Sequence, residues 1–161
     1  MTDERMGESL WAALARLPMG SGVVFRHYSL ATAERPALFE RVARIARKRR
    51  LTLVWAGPHS TLASHGRHRG ALTAPVHSRH EAVAATRAGA ALLFVSPVHA
   101  TRSHPGARAL GGVRLGLMIG GLGVPVIALG GMDERRWRAL RRLGLHGWAG
   151  IDAWMGNRSS R

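Results

Sequence analysis

Two stretches of this chain set groups suited to phosphate chemistry at fixed spacing. One is Ser96-Pro97-Val98-His99-Ala100-Thr101-Arg102-Ser103-His104-Pro105-Gly106, which follows the apolar run Ala90-Ala91-Leu92-Leu93-Phe94-Val95. The other is Gly130-Gly131, which follows Pro125-Val126-Ile127-Ala128-Leu129. Hydroxyls donate to phosphate oxygens, and glycines let backbone N–H groups approach an anion closely. Small hydroxyl residues after one buried strand and paired glycines after another suit a phosphate held at the C-terminal rim of a parallel barrel. The plain alternative is ordinary turn chemistry, since Ser, Gly and Pro all favour turns.

The elements that must position these residues follow from the apolar pattern. Gly22–Arg26, Leu51–Trp55, Gly70–Ala74, Ala91–Val95, Pro125–Leu129 and Gly147–Ile151 read as short strands apolar on both faces. Leu38, Val42 and Ile45 recur at helical spacing, with Pro36 in the first turn. Ser78-Arg79-His80-Glu81 is a capping box before a small-residue helix that stops at Gly89. Asp133 caps a helix carrying Trp137, Leu140 and Leu143, ended by Gly144. The apolar, glycine-rich segment 111–123 reads as a short helix. Strand–helix alternation with two-sided strands means a parallel α/β sheet. The segment 62–69 is too polar for a normal barrel strand. It reads as a vestigial strand near Ala63–Gly66 with its helix lost.

The chain has 161 residues, enough for one core but short for a (β/α)₈ barrel, which takes roughly 200 or more. Residues 1–155 are expected to form one domain, with 156–161 a polar tail. There is no cysteine, hence no disulfide, thiolate metal site or cysteine nucleophile. No apolar run reaches membrane-span length, and Met1–Arg5 lacks the order of a signal peptide, so a cytoplasmic protein with no membrane partner is expected. The formal charge is +15, from 24 Lys+Arg against 9 Asp+Glu. Lys48 is the lone lysine, and alanine and glycine abound, a mixture that suggests GC-rich coding more than a nucleic-acid surface. No aromatic-interleaved basic strand or zinc motif accompanies the charge, so nucleic acid is disfavoured as a partner. His65 and His68 alone make a weak metal pattern.

The run S-P-V-x-x-T-x-S-H-P-G, followed by P-V-I-A-L-G-G, resembles the thiamine phosphate synthase and thiazole tautomerase (TenI-like) family, over nearly the whole chain. The resemblance implies a (β/α)₈ barrel, here reduced, with a degenerate fourth βα unit and a shortened first strand. Met1-Thr2-Asp3 matches the end of that first strand, so the native start is expected upstream. The resemblance further implies phosphorylated pyrimidine and thiazole substrates. Arg26, Thr101, Ser103, His104 and Gly131 are then the phosphate- and diphosphate-binding residues, with His104 standing where the synthase commonly has lysine. Arg26 keeps the arginine of the family's Gln-x-Arg-x-Lys signature, while Val24 and Tyr28 replace its neighbours. His77, Ile151 and Asp152 fall in the substrate pocket, and Asp152 stands in the place of a phosphate-contacting serine. A carboxylate there repels phosphate unless a cation such as Arg102 or another arginine compensates.

The departures concern metal. Ala56-Gly57 replaces the Asn-Asp pair that helps hold Mg²⁺, and His65-Gly66 stand where the second metal aspartate belongs. No metal-ligating residue is assigned, and Mg²⁺ is expected only if substituted ligands or substrate phosphates hold it. Pro97 occupies the place of the tautomerase's acid–base histidine; His99 lies two residues on. The expected function is thiamine phosphate synthesis from hydroxymethylpyrimidine diphosphate and thiazole phosphate, with no catalytic residue assigned. The alternatives are thiazole tautomerisation and non-catalytic binding of a phosphorylated precursor. Self-association into a homo-oligomer across the weak fourth-strand region is also expected.

Overall fold

The structure is a computed structural model that describes residues 1–59, 61–101 and 106–155. The chain divides into two compact units. One comprises Met1–Ala63 with the segment from Ile151, and the other comprises Ser64–Gly150.

In the first unit, β1 (Gly22–Phe25) pairs in parallel with β2 (Thr52–Ala56), with Phe25 opposite Trp55. Two helices, α1 (Ser9–Arg16) and α2 (Glu34–Lys48), bury one face each. The core gathers Leu10, Leu14, Val23, Phe25, Phe39, Val42, Trp55 and Ile151. Fully burying each large member contributes about 2 kcal/mol relative to leaving it exposed. The helix α1 was not expected, although Leu10, Ala13 and Leu14 carry its spacing. Residues 1–3 form no strand, yet the Thr2 N–H donates to the Val24 carbonyl at 2.9 Å. A 3₁₀ turn, Glu4–Met6, follows at once, capped by Asp3.

In the second unit, β3 (Ser64–His65), β4 (Thr73–Val76), β5 (Leu92–Val95), β6 (Val126–Leu129) and β7 (Gly147–Ala149) lie side by side in chain order, all parallel. Ala74, Val76, Leu93, Val95, Val126 and Ala128 turn one face toward the core, with α3 (Arg79–Arg87) and α4 (Gly111–Ile119) over it. Arg79, in the first turn of α3, donates to the carbonyls of Met118 at 3.0 Å and Gly120 at 2.7 Å, closing the C-terminal end of α4. A short helix α5 (Glu134–Leu140) precedes β7, capped by Asp133 Oδ1 on the Arg136 N–H at 2.8 Å.

One expectation changes. The strand expected at Gly70–Ala74 is β4, which starts three residues later, at Thr73. Pro75 shares the hydrogen-bonding side of Thr73, whose carbonyl accepts from Gly66 at 3.0 Å. On that side β3 has already ended, so no strand asks for the N–H that proline lacks. The vestigial strand is Ser64–His65, and residues 66–72 return to β4 without a helix. Parallel neighbours are usually joined by a helical crossover of a dozen residues or more. The uncovered space is a cavity of about 550 Å³, lined among others by Ala71, Ala74, Ala84, Ala88 and the basic side chains Arg67 and Arg87. No helix among the described residues is long and apolar enough to cross a membrane.

Candidate functional site

The residues singled out in the sequence fall into two groups, one in each unit, and each group stands at C-terminal strand ends.

In the second unit the backbone carries the geometry. Gly130 (φ 93°) and Gly131 (φ 59°) turn the chain immediately after β6. A Cβ on Gly130 would lie 2.8 Å from Pro97 Cα, and one on Gly131 would lie 2.4 Å from the Ala100 carbonyl oxygen. Real Cβ atoms do not approach that closely, so glycine is required at both places. Two backbone bonds fix the loop after β5 to this turn: Val98 N–H to the Leu129 carbonyl at 2.9 Å, and His99 N–H to the Gly130 carbonyl at 3.0 Å. The Gly131 carbonyl in turn accepts from the Arg136 guanidinium. The loop and the glycine turn are thus one piece of structure, and half-buried Thr101 follows directly on it. Ser103 and His104, with Arg102, lie outside the described residues.

His77 is exposed at the end of β4. Its Nδ1 lies 2.6 Å from the Ser96 carbonyl oxygen. Only a protonated Nδ1 makes that contact favourable, so the neutral ring keeps its lone pair on Nε2. The His77 N–H donates to Glu81 Oε2 at 2.8 Å. The carboxylate of the capping box therefore reaches one residue further back than expected, to the residue before the cap. His77 both ties β4 to the β5 loop and presents a free nitrogen. His99 is half-buried, and burial, then the Arg136 charge, lower its pKa.

In the first unit side chains carry the geometry. Arg26 follows β1, and its N–H donates to Thr2 Oγ1 at 3.0 Å. The same hydroxyl meets His27 Nδ1 at 3.0 Å, and both residues are buried. Because Oγ1 accepts from Arg26, its single proton is free to point at His27. That ring stacks on Phe25 with centroids 4.8 Å apart. Desolvation lowers the His27 pKa, against the opposing pull of Glu4 and Asp3, so the ring is neutral at pH 7.

Ile151 is buried in the first unit's core, and half-buried Asp152 opens a 3₁₀ turn, Asp152–Trp154. The cation that faces Asp152 includes Arg5. Its pKa is raised first by the Asp3 hydrogen bond, then by the negative charges of Asp3, Asp152 and Glu4, against its partial burial.

Sequence reading missed Arg35, in the first turn of α2. Its guanidinium stacks 3.8 Å from the Trp55 ring and 5.2 Å from Tyr28, and donates to the Ala56 carbonyl at 2.6 Å. That contact joins residues 21 positions apart, which no local pattern announces.

The donors at this strand end do not fit Mg²⁺. Mg²⁺ wants carboxylate oxygens in octahedral geometry. Ala56 has no side-chain oxygen, and its carbonyl is engaged by a cation. Gly57 has φ 101°, a conformation an aspartate adopts only under strain. In the second unit, taken by itself, His65 Nδ1 is committed to Thr73 Oγ1 at 2.9 Å. Among the described residues no three His, Cys, Asp or Glu side chains gather as a metal site would need.

No curated protein matches this chain by sequence. Among solved structures, the chain is similar to a thiamine phosphate pyrophosphorylase from Pyrococcus furiosus, at 21% identity and a TM-score of 0.81, over 97% of this chain and 85% of that one. It is also similar to a native KDPGal structure, at 13% identity and a TM-score of 0.60, over 100% of this chain and 82% of the other. At these identities the likeness is one of fold, and it assigns a reduced (β/α)₈-type α/β architecture. The family model described as thiamine monophosphate synthase matches residues 62–154, more than half of the chain. The strand ends, the glycine turn and that match agree: the chain belongs to the thiamine monophosphate synthase family.

Proposed function

We propose that this chain binds a thiazole phosphate at the β5–β6 loops and joins it to a hydroxymethylpyrimidine diphosphate, forming thiamine phosphate. One observation carries the reading. The glycine turn seats against the Ala100 carbonyl, leaving no room for a side chain between the two loops. A turn that close is what a backbone phosphate cradle requires. Thr101, Ser103 and His104 then supply donors to the phosphate, together with the Gly131 N–H. Arg26 grips the diphosphate, since a guanidinium can take two oxygens at once. His77 in the second unit, and Ile151 and Asp152 in the first, are the further residues we propose to contact substrate.

In the reaction the thiazole nitrogen bonds to the pyrimidine methylene carbon. The carbon–oxygen bond to diphosphate breaks, and pyrophosphate leaves with the electron pair. The protein's contribution is orientation and stabilisation of the departing charge.

Non-catalytic precursor binding is the second reading, favoured by the lack of carboxylates at Ala56-Gly57. Tautomerisation has less support, because Pro97 carries no acid–base group. Incubation with both substrates, with and without Mg²⁺, tests the proposal, with thiamine phosphate read as its oxidised fluorescent product. Product formation is expected. Its absence in both conditions, with phosphate-ligand binding intact, favours the binder.

A further inference from the structure

The strand end that does not fit a metal holds two guanidinium groups instead. Arg26 and Arg35 lie 5.8 and 5.2 Å from the centre of the same exposed Tyr28 ring. Neither is in an ion pair among the described residues. The nearby carboxylates act on them only at longer range: Asp3 pairs with Arg5 at 2.7 Å and Glu4 accepts from the Ser29 N–H at 2.9 Å, while Asp3 still feels Arg26 and Glu4 still favours the Arg35 charge. Trp55 backs Arg35 at 3.8 Å, and the Ala56 carbonyl fixes its orientation through one donor. Arg35 Nε is buried with no acceptor among the described residues. Arginine has five N–H donors and no way to discharge them by losing a proton. Burial shifts the Arg35 pKa downward, and among the described residues Tyr28 and Glu4 oppose that shift. A half-buried cation without a carboxylate partner is a standing cost that a bound anion removes.

We infer that Arg35 and Arg26, braced by Tyr28 and Trp55, form a metal-independent site for a diphosphate anion. Arg35 supplies positive charge at the strand end where the residues present cannot hold Mg²⁺. This rests on the proposed function only in reading Arg26 as an anion-holding side chain.

The test is calorimetric titration of inorganic pyrophosphate into the full chain in EDTA, and again with Mg²⁺. Binding in EDTA is expected, and Mg²⁺ should tighten it by less than threefold. Arg35→Met, which keeps the apolar stem, should weaken binding at least tenfold. Arg35→Lys keeps charge but loses the planar fork, and should weaken it several-fold. Circular dichroism confirms that each variant is folded; if the Met variant is not, the Lys variant carries the comparison. Binding that appears only with Mg²⁺, or that folded Arg35 variants leave unchanged, overturns the inference. Because no turnover is needed, metal-free pyrophosphate binding without thiamine phosphate formation defeats the proposed function alone. Product formation with strictly Mg²⁺-dependent pyrophosphate binding defeats this inference alone.

Discussion

The end of β5 and β6 is made of backbone, and the end of β1 and β2 is made of side chains. In the first, Gly130 and Gly131 lie so close to Pro97 and Ala100 that no side chain fits. In the second, Arg26, Arg35, Tyr28 and Trp55 interact through rings and guanidinium groups. A site built from backbone tolerates little change, because its shape depends on atoms being absent. A site built from side chains can exchange its chemistry while the strands beneath keep their register. One strand end is therefore fixed by its glycines, while the other carries Arg35, a cation with no carboxylate at ion-pair distance among the described residues.

The sharpest way to break the comparison is at Gly131. Gly131→Ala forces a Cβ to within 2.4 Å of a carbonyl oxygen at a positive φ. We expect a loss of about 3 kcal/mol in stability and at least a hundredfold loss of thiazole phosphate affinity. Chemical denaturation and calorimetry check both. An affinity that stays unchanged in a folded variant removes the cradle.

At the other end, Gly57→Asp asks whether a carboxylate alone can restore metal use. The φ of 101° makes the substitution cost about 2 kcal/mol. We expect no gain of Mg²⁺ dependence in pyrophosphate binding, since the neighbouring Ala56 carbonyl still holds Arg35. A tenfold tightening by Mg²⁺ in this variant would show that only the carboxylate was missing.

Thr2→Val probes what sets Arg26 in place. It leaves the Arg26 N–H and His27 Nδ1 without their shared hydroxyl, at a cost of about 2 kcal/mol by thermal denaturation. The His27 pKa is lowered in the folded state, so the unfolded chain binds more protons below the ordinary value near 6.5. Stability from this group is complete above that pH and is lost as pH falls below it. His99 shifts the same way, so both histidines contribute. The melting temperature should fall between pH 7 and pH 5, and His27→Gln should flatten the slope only in part. A slope unchanged by that substitution would assign the effect to other groups.

Much of this was legible in the sequence, for a physical reason. The parallel strand–helix alternation, the Ser78 and Asp133 caps and the vestigial strand near residues 63–66 follow from local pattern, and the structure has them all. The Gly-Gly turn was legible because glycine is diagnostic where a Cβ cannot fit. Helix α1 has the apolar spacing of Leu10, Ala13 and Leu14, but it is only eight residues long and has no side-chain cap to mark its start. The displaced fourth strand turned on Pro75, which reads as a strand breaker until the short neighbour β3 is known. Arg35 could not be found, because a guanidinium stacked on Trp55 is a tertiary fact with no signature near residue 35. Ser103 and His104 lie outside the described residues, so the hydroxyl end of the phosphate loop rests on the sequence alone.

The smallest expected effect lies at His77, between the backbone-built turn and its supporting helix. Ser78 Oγ accepts from the Glu81 N–H at 3.1 Å, and Glu81 Oε2 accepts from the His77 N–H at 2.8 Å. Ser78→Ala removes the cap and should cost about 1 kcal/mol. Glu81→Gln should cost less than about 0.5 kcal/mol. Its amide oxygen can still accept from His77, and the Arg67 pair it loses, at 3.1 Å, is solvent-exposed. Both variants should leave thiazole phosphate affinity within twofold, because Ser96 and the glycine turn hold the loop from the other side. If Glu81→Gln instead cost as much as Ser78→Ala, the carboxylate charge, and not the hydrogen bond to His77, would be what orders this corner.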